Sequence, residues 1–204
     1  MSTLTFLGAV KEVTGSRYLL EVDGSHKLLL ECGLHQGGND VDEANAHSFG
    51  ELPRVLEAVV LSHGHLDHAG LLPKLVREGY SGPIHCTRGT RDLLFIMLRD
   101  AAFVMAKDIE WENKWRHKAG KPAIEPLYGL DDVEQTLALC RPHPYGQTID
   151  LPGGGTLVFH DAGHILGSAI IELTVPSGGQ TKRLVFSGDL GNPSSVLMKL
   201  GFIE

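Results

Sequence analysis

The sequence predicts a layered domain of the mixed α/β or α+β class. Three features predict it. Short apolar runs rich in β-branched residues fill the first third, helical spacing dominates the middle, and strand-like runs return after Pro142. A chain of 204 residues suits one domain, and its 42% hydrophobic content can bury a real core.

Thr3 to Val10 and Arg17 to Val22 read as strands. Asp23-Gly24 signals a turn, after which Lys27 to Leu30 resumes the apolar run. Gly33 to Gly50 is polar and turn-rich and reads as a long loop, of a length that is usually functional or disordered. Leu56 to Leu61 fits a buried strand. Ala69 to Glu78 follows with helical spacing, placing Leu72, Leu75 and Val76 on one face. Pro83 to Cys86 fits another strand, and Thr90 to about Asp108 a long helix. A second helix, about Leu130 to Cys140, opens on Asp131 and Asp132, whose charges suit a helix N-terminus. Leu157 to His160, Ala169 to Val175 and Arg183 to Ser187 read as strands, with turns at Gly153 to Gly155 and Ser177 to Gln180.

The charge balance, 18 Lys+Arg against 25 Asp+Glu, excludes a basic domain that coats nucleic acid. It leaves room for a nucleic-acid substrate, because bound cations offset global charge. The longest apolar run, Leu93 to Leu98, is too short to span a bilayer. Met1 to Glu12 lacks the basic start and apolar run of a signal peptide. Cys32, Cys86 and Cys140 are odd in number and widely spaced, so no disulfide framework is expected, and the default compartment is the cytoplasm.

The chain holds 11 histidines, and histidine is the commonest protein ligand for metals. Four potential ligands crowd into Leu61-Ser-His63-Gly-His65-Leu-Asp67-His68-Ala-Gly70, between a strand and a helix. Side chains two apart in an extended segment point the same way, so His63 and His65 can share one ion. Asp67 and His68 fall where the chain turns into the helix and can aim at a second point. Imidazole with carboxylate suits Zn²⁺, or a borderline ion such as Mn²⁺ or Fe²⁺. Two later strand ends can complete the set: His164 in Asp161-Ala-Gly-His164-Ile-Leu-Gly-Ser168, and Asp189 in Ser187-Gly-Asp189-Leu-Gly191.

His63-x-His65-x-Asp67-His68, His164 and Asp189 together resemble the metallo-β-lactamase fold. Val13-Thr-Gly-Ser16, Leu30-Glu-Cys-Gly33, Ala162-Gly-His164-Ile-Leu-Gly-Ser-Ala169 and Ser187-Gly-Asp189-Leu-Gly191 resemble its β-CASP branch of RNA-processing nucleases. The resemblance implies an αββα sandwich with a two-metal site at one edge of the sheets. It implies that His63, His65 and His164 hold one zinc, and that Asp67, His68 and a bridging Asp189 hold the other. Glu31 stands where the family usually has Asp, as a carboxylate that orients a ligand or as part of the loop framework. The resemblance also implies that residues 1–204 form a metallo-β-lactamase-like domain lacking its C-terminal elements, a further His ligand and the β-CASP domain.

The expected activity is hydrolysis of RNA phosphodiesters. Two divalent ions about 3.5–4 Å apart lower the pKa of a shared water and clamp a phosphoryl oxygen. The hydroxide so formed attacks phosphorus, with Asp67 as candidate proton acceptor. Ser168 is a candidate phosphate contact, set against an ordinary Gly-Ser turn. Trp111 and Trp115, with nearby Lys and Arg, are expected to pack on the core rather than to guide RNA. Alternatives are a hydrolase of small thioesters or lactams, and a weakly active or non-catalytic metal-binding fragment. RNA is the expected partner, no membrane contact is expected, and homo-oligomers are possible.

Overall fold

The computed structural model describes residues 1–37 and 41–192. Chain order begins with β1 (Thr3–Phe6), β2 (Tyr18–Val22) and β3 (His26–Leu30), then short helices α1 (Val41–Ala46) and α2 (Leu52–Val55). β4 (Ala58–Val60), α3 (Leu66–Ala69), α4 (Leu72–Arg77), β5 (Ile84–Thr87) and the long α5 (Arg88–Lys118) follow. α6 (Leu130–Leu139), β6 (Cys140–His143), β7 (Ile149–Leu151), β8 (Gly155–Asp161), β9 (Ala169–Ser177) and β10 (Gln180–Phe186) complete it.

The strands form two sheets. The first has the order β1-β2-β3-β4-β5-β6, antiparallel through β3 and parallel from β3 to β6. The second, β10-β9-β8-β7, is antiparallel throughout. Residues of β3 and β4 divide between two cores. Leu29 and Val59 join Leu72, Leu75, Leu94, Leu98, Val133 and Leu137 beneath the helices. Leu28, Leu30, Ala58 and Val60 meet Leu157, Phe159, Ile171 and Leu173 between the sheets. A strand covered on both faces needs apolar residues at consecutive positions, which is why Leu28-Leu-Leu30 and Ala58-Val-Val60 do not alternate. β8 does alternate, Leu157 and Phe159 inward against the less buried Val158 and His160. Three of the four expected layers, α–β–β, stand among the described residues.

Several boundaries move. The first strand ends at Phe6, because the backbone turns at Ala9 and Lys11 with positive φ. The expected loop from Gly33 to Gly50 contains α1. The helix expected from Ala69 to Glu78 is two short helices, broken around Gly70 and restarted by Pro73. β6, which contains Pro142, escapes sequence patterning because proline is a poor strand former. The long helix runs on to Lys118, and this overturns the expected core packing of Trp111 and Trp115. Its last buried residue is Ala102, so the pair lies beyond the sandwich and is 70% and 54% exposed. Among the described residues no helix is long and apolar enough to cross a membrane.

His85 of β5 stacks on His143 of β6, ring centres 5.2 Å apart, with Nδ1 3.0 Å from the His143 Nε2. His85 is 9% exposed, and burial, with the charges of His143 and Arg141, pushes its pKa down to about 4. The unfolded chain therefore binds a proton that the folded chain refuses between about pH 6.5 and 4, and stability falls as pH drops through that window. Lowering the pH from 7 to 5 should remove about 2 kcal/mol through this residue. Urea melts of the parent chain and His85→Gln at the two pH values check this: the variant should lose correspondingly less.

Candidate metal centre

The centre forms at one edge of the sandwich, beyond the ends of β3, β4, β8 and β10. Backbone bonds fix its loops to one another. After β3, the Glu31 N–H donates to the Val60 carbonyl (3.0 Å), Cys32 to His68 (2.7 Å) and Leu34 to Leu66 (2.8 Å). Ser16, from the loop between β1 and β2, donates to the Asp67 carbonyl (2.9 Å) and accepts from Gly33 (3.0 Å). Gly33 is required there, since a methyl group at this position would overlap the Asp67 carbonyl. On the other side, Thr87 and Thr90 at the start of α5 donate their hydroxyls to the Gly167 carbonyl, tying down the turn that carries His164. Gly191 donates to Ala162 (2.9 Å), which brings the segment after β10 alongside.

The structure brings all six expected ligand residues together. His63 Nε2 lies 3.1 Å from His65 Nδ1, and His164 Nε2 lies 3.3 Å from the same atom. Asp189 Oδ2 is 3.6 Å from His164 Nε2 and 3.9 Å from His63 Nε2. Its other oxygen is 3.4 Å from His68 Nε2, which is 3.6 Å from Asp67 Oδ2. Asp189 thus stands between a group of three imidazoles and the Asp67–His68 pair.

Behind these atoms sits Glu31, fully buried, with φ of 61° in the left-handed region where side chains other than glycine are strained. Its carboxylate accepts from the Ser62 N–H (2.6 Å), the Ser62 hydroxyl (2.9 Å) and His68 Nδ1. The Ser62 hydroxyl has one proton, which goes to Glu31, so it accepts from His63 Nδ1 at 2.9 Å. The network leaves Nε2 of His63 as a bare lone pair aimed at the centre. Ser62 is the residue sequence reasoning missed; its place next to His63 was the available signal.

Electrostatics separates two buried imidazoles. Burial first, then the neighbouring imidazoles of His68, His65 and His164, drives the His63 pKa down to about 2. Burial also opposes a charge on His68, but the hydrogen bond and charge of Glu31, with the charges of Asp189 and Asp67, outweigh it together, and its pKa rises. Convergent imidazole lone pairs repel unless a cation sits among them. A tetrahedral ion with donors at roughly 2.0–2.2 Å spaces those donors about 3.3–3.6 Å apart. The separations around His65, His164, Asp189 and His68 fall at or near that range, so the donor set fits the metal chemistry of its residue types.

Ser168 does not face outward. It is 1% exposed and its hydroxyl accepts from the His164 and Ile165 N–H groups, at 3.0 and 3.2 Å. The candidate phosphate contact is therefore corrected to a turn residue that holds the backbone of His164.

Residues 11–201 match the model of the family described as the metallo-beta-lactamase superfamily. The chain belongs to that superfamily. It is 44% identical over 186 residues to "Ribonuclease TTHA0252" of Thermus thermophilus, covering 91% of this chain and 37% of the relative. It is 35% identical to "Transcription termination factor FttA" of Methanosarcina mazei, covering 91% of this chain and 27% of the relative. The chain thus spans about a third of the length of these relatives. Among solved structures, FEZ-1 metallo-beta-lactamase from Legionella gormanii aligns over 96% of this chain and 64% of its own, with TM-score 0.52 and 16% identity. A Cronobacter sakazakii metallo-beta-lactamase variant aligns over 96% and 63%, with TM-score 0.57 and 16% identity. At these identities the likeness is one of fold.

Proposed function

We propose that residues 1–204 are the metal-binding metallo-β-lactamase-like domain of an RNA phosphodiester hydrolase of the β-CASP group. The carrying observation is the convergence of His63, His65, Asp67, His68, His164 and Asp189 at one edge of the sheets. The substrate class rests on the relative whose name is ribonuclease, the most similar of those described above. In this reading His63, His65 and His164 hold one zinc, Asp67 and His68 a second, and Asp189 reaches both. Two such ions supply a lowered water pKa and charge neutralisation at a phosphoryl group.

The chain's own residues supply the rest. Glu31 fixes His68 directly and His63 through Ser62, so one ligand on each side is held in a single tautomer. Asp67, with its side chain 21% exposed, is the candidate to accept a proton from an attacking water. The turn ended by Ser168 keeps His164 from swinging away. Cys32, Cys86 and Cys140 are free and buried, which fits the reducing cytoplasm.

The test is cleavage of end-labelled single-stranded RNA by the metal-loaded chain, with and without chelator. Cleavage that chelation abolishes and zinc restores is expected. Metal uptake without any cleavage would sink the hydrolase reading, and Asp67→Ala with full activity and full metal would remove Asp67 as proton acceptor.

A further inference from the structure

The extension of α5 past Ala102 builds a second surface, outside the candidate metal centre. An apolar groove runs beside this part of the helix, lined by Leu34, Leu66, Val104, Met105, Ile109 and Leu127. Its far wall is held by the return segment after α5. Asn113 exchanges two hydrogen bonds of 2.8 Å with the backbone of Ile124, and Arg116 Nε donates to the Pro122 carbonyl. Trp111 lines the groove, and Val104 on its wall is 48% exposed. Exposed Val104 and Trp111 thus adjoin the half-buried Leu66, Met105, Ile109 and Leu127, a contiguous apolar strip rather than scattered single residues.

The charge on this groove is one-sided. Asp42, Asp100, Asp108, Glu112 and Glu125 line it, against Arg116 as its one Lys or Arg. Arg116 faces Glu112 at 3.6 Å, and Glu125 is met from outside by Arg77 at 3.3 Å. Among the described residues, Asp42, Asp100 and Asp108 have no ion pair. An apolar floor between carboxylates complements a helix with one apolar face flanked by Lys and Arg. It repels nucleic-acid phosphates, and it repels the same acidic rim on a second copy of a chain whose net charge is −7.

We propose that this groove docks a basic amphipathic helix of a partner protein, apolar face inward and cations along the Asp100–Asp108 rim. Leu66, which borders the groove, opens the helix that carries Asp67 and His68, so the partner would sit directly beside the metal loop. The proposal does not depend on the activity of that site.

Trp111 and Trp115 are the chain's two tryptophans, so tryptophan emission, excited selectively over tyrosine, reports on this helix alone. The full chain is titrated with a synthetic peptide carrying Leu and Lys at amphipathic helical spacing. Controls are the same composition in a non-amphipathic order, a Glu-for-Lys version, and a single-stranded RNA oligonucleotide. A saturable blue shift is expected with the amphipathic basic peptide only. Combined Asp100→Lys and Asp108→Lys should weaken it about tenfold and admit the Glu peptide. Val104→Glu should weaken it through the apolar floor. All three positions are exposed, and circular dichroism confirms that the variants fold. Equal binding of the scrambled peptide, an undiminished response in the charge-reversed chain, or the same shift with RNA would overturn the proposal. A concentration-dependent dimer abolished by Val104→Glu would overturn it in favour of a second copy.

Discussion

Glu31→Gln should lower zinc affinity by roughly 10–100-fold, the range seen when a group that orients a metal ligand is altered. The carboxylate accepts three hydrogen bonds, from the Ser62 amide, the Ser62 hydroxyl and the His68 ring. An amide keeps one oxygen and puts an NH₂ where the other stood. Oε2 serves both His68 Nδ1 and the Ser62 hydroxyl, and Oε1 serves the Ser62 N–H. With the NH₂ in the Oε2 place, the His68 ring and the Ser62 hydroxyl that holds His63 lose their acceptor together; in the Oε1 place, it opposes the Ser62 N–H beside His63. Glu31→Ala removes every acceptor, leaving buried donors that cost about 1–3 kcal/mol each. Calorimetric zinc titration and thermal melts of the metal-free chain separate the two effects. Glu31→Gln should lose affinity with a smaller drop in melting than Glu31→Ala, which should lose both heavily. Parent-like zinc affinity in Glu31→Gln would remove Glu31 from its orienting role.

Asp189→Asn should leave melting nearly unchanged and lower the metal content strongly. Asp189 is 45% exposed at its side chain, so an amide of the same shape there should cost the metal-free fold little. Its two oxygens, however, face His68 on one side and His164 with His63 on the other. A neutral amide brings no negative charge to positions that would each carry a divalent cation. If the centre holds two zinc ions as proposed, elemental analysis should fall to one or fewer per chain. On the proposed reading RNA cleavage should fall by about 10²–10³-fold, because the ion that Asp189 would help to hold, and not the carboxylate itself, supplies the charge stabilisation. Two ions retained at parent affinity would place Asp189 outside the coordination sphere.

The part of the site that the sequence spelled out is the part that is short in sequence. His63, His65, Asp67 and His68 share one loop, and period-two geometry pairs the first two without tertiary information. His164 and Asp189 were legible only as polar residues at strand ends that fitted a family pattern. Ser62 looked like an ordinary loop serine, since its role appears only once Glu31, 31 positions earlier, is folded against it. The His85–His143 pair was hidden for the same reason: it exists through the cross-strand register of β5 and β6. The helical period of α5 was visible, but period does not say where the body beneath a helix stops. Ala102 is the last fully buried residue of the helix, and the two tryptophans beyond it are exposed.

The sutures between Glu31–Leu34, Ser16 and Leu66–His68 are peptide-to-peptide and require no cation to form. The cradle is therefore set by the polypeptide itself, unlike small zinc modules in which capture of the ion is the folding event. Stripping the metal should leave the far-ultraviolet spectrum intact, and refilling should proceed by simple entry of the ion, with no refolding lag.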